Sequence, residues 1–184
     1  MDRIREYISI KMVRGNLDDI PEYDLPVGYS IRWYQSGYEE YWQKVQLLAD
    51  EYNRVTPELF EEQFGSDIQL LSERQCFLCD SKEDIIGTAT AWLDSKDEKP
   101  PGRIHWVAIV PDQQGKGLAK PLLTIICKRL KELGHSRTYL TTQTVRIPAI
   151  NLYVKFGFAP VIDSDSDREI WEKLQQHVKY PLIF

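Results

Sequence analysis

Hydrophobic positions along the chain follow two periods, and the switches between them mark out its elements. "YSIRWY" (29–34) alternates polar and apolar residues as a strand does, whereas "YEEYWQKVQLLADEY" (38–52) spaces Tyr41, Val45, Leu48 and Tyr52 at helical intervals. Proline suits a first helical turn, so "PELFEEQF" from Pro57 is expected to form a second short helix. "QCFLCD" and "DIIGTATAWL" read as antiparallel strands joined through the turn-forming "SKED". The charged, proline-bearing "DSKDEKPPGR" (94–103) is expected to be a loop, and "IHWVAIV" a further strand.

After that strand the period returns to helical. Leu118, Leu122, Ile125, Ile126, Leu130 and Leu133 form one stripe that Gly134 closes. "RTYLTT" reads as a strand, "PAINLYVKF" as a short helix from Pro148, and "GFAPVI" as a strand again. Ser166 and Glu169 fit a capping box, which opens a C-terminal helix over 165–178. Residues 1–27 form an N-terminal extension whose structure the pattern does not specify. With 184 residues and no repeat or linker, one domain over 1–184 is expected.

Charge narrows the function classes. Basic residues number 23 and acidic residues 28, giving a net charge of −5 without a long single-sign block, which argues against a nucleic-acid partner. No apolar run reaches the roughly 18 residues that crossing a membrane requires, and "MDRIREYISI" is too charged for a signal peptide. A cytoplasmic protein without a membrane partner is expected. The 3 cysteines are too few for a disulfide framework. Cys76 and Cys79 form a CxxC, but strand alternation puts them on opposite faces, where a redox pair or zinc knuckle would need a turn; no metal site is expected.

The candidate chemistry sits in "VPDQQGKGLA" (110–119), between the strand "IHWVAIV" and the helix after it. A helix N-terminus presents about four N–H groups without intrahelical partners and roughly half a positive charge, so an anion binds there if no bulk intervenes. Gly115 and Gly117 remove that bulk. Pro121 is tolerable because N–H groups of the first turn have no intrahelical bond to lose. The segment fits neither GxxxxGK followed by Ser or Thr nor GxGxxG, so the P-loop and the dinucleotide fingerprint fail on spacing.

Gln114, Gly117 and Ala119 instead fill, in register, the signature of the GNAT superfamily of N-acetyltransferases: Gln or Arg, two residues, Gly, one residue, Gly or Ala. "PAINLYVKFGF" (148–158) resembles that family's second signature, a helix bearing Leu-Tyr followed by Gly-Phe opening a strand. The resemblance covers about residues 28–161. It implies an α+β fold in which helices flank a mixed, mostly antiparallel sheet, with acetyl-CoA as cosubstrate. The stretches "VGYSIRWYQSGYEEYW" and "IHWVAIVPDQQGKGLA" are also similar to mycothiol synthase-like GNAT domains.

The resemblance implies roles residue by residue. Backbone N–H groups across Gln114, Gly115, Lys116, Gly117, Leu118 and Ala119 would hold the pyrophosphate, and main-chain groups of Val107, Ala108 and Ile109 would pair with the pantetheine arm. Tyr153 falls on the tyrosine whose hydroxyl protonates the departing thiolate. Two positions depart from the pattern: Arg146 stands where many members have Asn, and Thr141 where the ribosomal-protein alanine acetyltransferases have a glutamate.

An ammonium has no lone pair with which to attack, so an amine acceptor needs a base. His105 is the candidate, at a position resembling a strand histidine of serotonin N-acetyltransferase; an unshifted imidazole titrates near ~6.5. Glu73 and Asp80 are further carboxylates without motif support. In this family the acceptor, a small-molecule or peptide amine, would meet the N-terminal helices. There Trp33, Tyr34, Tyr38, Tyr41 and Trp42 with Glu39 and Glu40 suit either a cationic amine or plain core packing. The reading is direct acetyl transfer in a ternary complex, by a monomer or homodimer. The alternative is a CoA-binding sensor or interaction module without turnover.

Overall fold

The computed structural model describes residues 7–93 and 100–184. Its elements, in chain order, are β1 (Ser9–Arg14), β2 (Ser30–Trp33), α1 (Glu39–Ala49), α2 (Leu59–Phe64), α3 (Ile68–Arg74), β3 (Gln75–Cys79), β4 (Ile85–Trp92), β5 (Gly102–Ile109), α4 (Ala119–Glu132), β6 (Thr138–Gln143), α5 (Ile147–Lys155), β7 (Ala159–Pro160) and α6 (Asp165–Gln175). The strands form a sheet in the order β2-β3-β4-β5-β6-β1-β7. The expected α+β class and mostly antiparallel sheet are observed. The chain divides into two compact units, one of Glu22–Trp92 with Ile104–Arg129, the other of Met1–Pro21, Leu93–Arg103 and Leu130–Phe184.

The first of these is organised by aromatic side chains. Tyr34, Trp42, Phe60, Phe64, Leu71 and Phe77 form one buried cluster. Trp42 is fully buried and meets Phe60, Phe64 and Trp106 edge-on at 5.4, 5.5 and 5.2 Å between ring centroids. Burying a large apolar side chain contributes roughly 3 kcal/mol, and edge-on ring pairs add to it. Trp42, Val45 and Gln46 are therefore the inner face of α1, while Tyr41, Leu48 and Tyr52 of the expected stripe are exposed. Only Val45 belongs to both sets. Strands β2, β3 and β4 pair antiparallel, with a register shift between Leu78 and Cys79.

In the other unit β1 lies between β6 and β7, antiparallel to both, with Ser9 opposite Gln143, Arg14 opposite Thr138 and Met12 opposite Pro160. This strand falls in the extension that the hydrophobic pattern left open. Its alternate residues Ile10, Met12 and Arg14 point inward. The cap of α6 is Ser164, whose hydroxyl accepts from the Asp167 N–H at 3.2 Å; Ser166 lies inside the first turn and is not the cap. "SDSD" repeats its pattern after two residues, and the extended backbone of Ser164 decides which serine caps. β5 begins at Gly102, inside the expected loop, of which 94–99 lie outside the described residues. α3, unforeseen, is capped by Asp67, which accepts from the Leu70 N–H at 3.0 Å.

Candidate functional site

The glycine segment has the geometry that its composition implies. Val110 ends the strand region with its N–H donating to the Ile86 carbonyl at 2.9 Å, and a single 3-10 turn follows over Pro111–Gln113. Gly115 and Gly117 then adopt φ of 75° and 80°, a left-handed backbone that costs other residues about 1–2 kcal/mol. A Cβ at either position would meet nothing within 4 Å, so the surface over the loop is open. Leu118, 2 % exposed, anchors the far side, and its carbonyl accepts the Leu122 N–H at 3.2 Å. The N-terminus of α4 thus emerges from an exposed loop while Leu122, Leu123, Ile126 and Cys127 are buried.

Side chains brace this loop from behind. The Gln114 amide donates to the Ile109 carbonyl at 2.8 Å, tying the signature glutamine to the end of β5. Lys116 donates to the Gln113 side-chain oxygen at 2.8 Å, and Lys120 lies 5.4 Å from the Tyr23 ring centroid. Val107 and Ala108 are half-buried and Ile109 is buried. Gly87 of β4 makes room for them: a Cβ there would sit 2.9 Å from the Ala108 carbonyl oxygen and 3.2 Å from Ile109 Cγ1.

His105 and Trp106 interrupt β5. Ile104 and His105 are adjacent and both buried, and Trp106 after them has φ of 49°, a left-handed residue in mid-strand. Such a residue persists only where its surroundings hold it. The Trp106 indole N–H donates to Gln63 Oε1 at 2.9 Å, and the Gln46 amide reaches its carbonyl at 3.4 Å. His105 Nε2 lies 3.1 Å from the same Gln63 oxygen, and its ring meets Phe64 edge-on at 5.5 Å.

Tyr153 lies on α5, in the other unit. It is half-buried, packs edge-on against Phe158 at 6.0 Å, and its hydroxyl is pushed up to about 12 by burial, with the Arg146 charge pulling the other way. Arg146 itself donates to Gln143 at 2.6 Å, and Thr141 is exposed. The C-terminus of α5 turns sharply: the Tyr153 carbonyl accepts from both the Phe156 and Phe158 N–H groups at 3.0 Å, and Gly157 has φ of 76°. Arg14 closes that turn. Its guanidinium donates to the main-chain carbonyls of Phe156, Asn16 and Asp19. A Cβ at 157 would lie 2.5 Å from Arg14 Nη1.

Arg14 was missed because its partners are backbone carbonyls, which leave no trace in side-chain pattern. The aromatic and acidic residues at 33–42 divide between core and surface, with Glu40 and Tyr41 exposed. Tyr34 and Trp42 are core, and the Glu39 carboxylate accepts from the Tyr34 hydroxyl at 2.9 Å and the Gly37 N–H at 3.0 Å. Cys76 and Cys79 are buried in β3, and burial raises both thiols, Cys76 to about 12. Neither is a ready thiolate. Among the described residues no helix is long and apolar enough to cross a membrane.

Known proteins resemble this chain in sequence and in fold. The chain is 27 % identical over 165 residues to a mycothiol acetyltransferase of Pseudarthrobacter chlorophenolicus, covering 84 % of this chain and 50 % of that protein. It is 31 % identical over 86 residues to N-acetyltransferase 8B of Rattus norvegicus, across 45 % of this chain and 38 % of that one. The chain spans about half the length of the mycothiol acetyltransferases that it matches. Its fold resembles the crystal structure of a GCN5-related N-acetyltransferase from Sphaerobacter thermophilus, with a TM-score of 0.68, 21 % identity and coverage of 84 % of this chain and 50 % of that one. The pattern of the Acetyltransferase (GNAT) family matches residues 31–158, which include the glycine loop, His105 and Tyr153, and the chain belongs to that family.

Proposed function

We propose that this chain is an N-acetyltransferase that moves an acetyl group from acetyl-CoA to an amine by direct attack in a ternary complex. The observation that carries the reading is the pair of left-handed glycines at the open N-terminus of α4, inside the family match. Residues Gly115 to Ala119 supply backbone N–H groups for the pyrophosphate, the Gln114 N–H of the expected set already donating to the Pro111 carbonyl at 3.2 Å, and a side chain at 115 or 117 would intrude on that surface. Main-chain groups of Val107 to Ile109 pair with the pantetheine arm. Gln114 works indirectly, since its amide is spent on Ile109.

The amine nitrogen attacks the thioester carbonyl carbon, the C–S bond breaks, and the electron pair leaves on sulfur. Tyr153 donates its hydroxyl hydrogen to that sulfur. A phenol is protonated at neutral pH with or without the burial that pushes Tyr153 up to about 12. Since a thiol's pKa of ~8.5 lies below that, the hydroxyl serves by position and by hydrogen bonding to the charge developing on sulfur. His105 takes the proton that the amine sheds. The acceptor is a small-molecule or peptide amine, and the acceptor of the mycothiol acetyltransferases belongs in the first panel.

The test is a panel of amines incubated with acetyl-CoA while released thiol is followed. Amine-dependent thiol release, lost in Tyr153→Phe, is expected. Tight acetyl-CoA binding without release on any amine would favour a CoA-binding module instead.

A further inference from the structure

We infer that Gln63 is a positioning residue that fixes the neutral tautomer of His105, leaving the lone pair on Nδ1. Donor and acceptor chemistry decides the tautomer. An indole N–H can donate but not accept, so the group 2.9 Å from Trp106 Nε1 must be the oxygen of the Gln63 amide. Trp106 thereby settles which way that amide faces. The same oxygen lies 3.1 Å from His105 Nε2, and an oxygen that only accepts requires a hydrogen on that nitrogen. Neutral imidazole carries one N–H, so Nδ1 is the nitrogen able to take up a proton.

Gln63 is carried on a packed helix. Its helix is anchored by Phe60 and Phe64, which lie four residues apart on the buried face of α2 and pack against Trp42. The left-handed backbone at Trp106 turns both His105 and the indole toward one oxygen, which regular alternation along a strand would not allow. That convergence gives the mid-strand irregularity a purpose. His135 provides an internal contrast: its Nδ1 lies 2.9 Å from the Pro100 carbonyl, so it is the opposite tautomer.

The consequence for proton removal rests on the proposed acetyl transfer, but the tautomer does not. Ring nitrogen signals of 15N-labelled protein, recorded well above the ordinary histidine pKa of about 6.5, should show His105 as the Nε2–H form and His135 as the Nδ1–H form. In Gln63→Leu the His105 signature should become mixed or invert, that of His135 should persist, and kcat should fall while acetyl-CoA binding holds. Gln63→Glu keeps an accepting oxygen and should retain the Nε2–H form, which leaves a test if the leucine variant does not fold. An Nδ1–H form at His105 in the unaltered protein, or in Gln63→Glu, overturns the inference, as does a folded Gln63→Leu with the original signature. If the tautomer changes and kcat does not, the positioning role is overturned while acetyl transfer stands. Absence of turnover with every amine counts against acetyl transfer alone, since the ring signals still decide the tautomer.

Discussion

Gly117 and Gly157 share a left-handed backbone, with φ of 80° and 76°, yet they are glycine for opposite reasons. Beyond Gly117 there is open space, and beyond Gly157 there is the Arg14 guanidinium. One glycine leaves open surface beside it. The other lets the chain close on itself. A glycine in a motif is therefore not by itself a sign of ligand contact, and the neighbourhood of its missing Cβ separates the two cases.

The largest expected effect lies on the closed side. Arg14→Ala strips three carbonyls of their donor and should lower stability by roughly 3 kcal/mol or more in urea denaturation. Gly157→Ala should move the same way, through clash and backbone strain. A midpoint unchanged in both variants would remove the basis of the contrast.

On the open side, Gly117→Glu should cost the fold only about 1–2 kcal/mol, through its left-handed backbone. It should weaken acetyl-CoA binding about 100-fold or more, because a like charge meets the pyrophosphate. Calorimetry with acetyl-CoA beside a melting curve checks both halves. Binding that survives intact would move the anion site elsewhere.

Tyr153→Phe sits between the two cases, on the helix that Gly157 ends. Turnover should fall about 100-fold with acetyl-CoA affinity preserved; equal turnover would make the hydroxyl a packing group. The smallest effect is a titration. Tyr34 and Tyr153 are both raised from 10.0 to about 12, first by burial, with the Glu39 hydrogen bond and charge adding to Tyr34. The unfolded chain loses these protons first, so stability should decline as pH rises from about 10 toward 12. Tyrosinate absorbance should show a late-ionising fraction that shrinks in Tyr34→Phe.

Much of this was legible in the residues, where the signal is local. The β3–β4 hairpin, the glycine loop and the closing Gly134 follow from turn chemistry and period. The stripe on α1 misled because Tyr41, Leu48 and Tyr52 keep helical spacing while the larger Trp42 takes the interior. Spacing states which residues share a face, and packing states which face wins. β1 escaped notice because its partners, β6 and β7, are more than a hundred residues away. The Trp106 irregularity escaped too, since nothing in "IHWVAIV" marks a tryptophan with a positive φ.

The three cysteines have a practical bearing on any measurement of turnover. Cys76, Cys79 and Cys127 are all thiols outside any disulfide and all buried. A colorimetric disulfide reagent added to the native protein should therefore register the thiol released from the thioester and little from the polypeptide. Unfolding would expose them, so the same colour, read without cosubstrate, becomes a clock for loss of the native state.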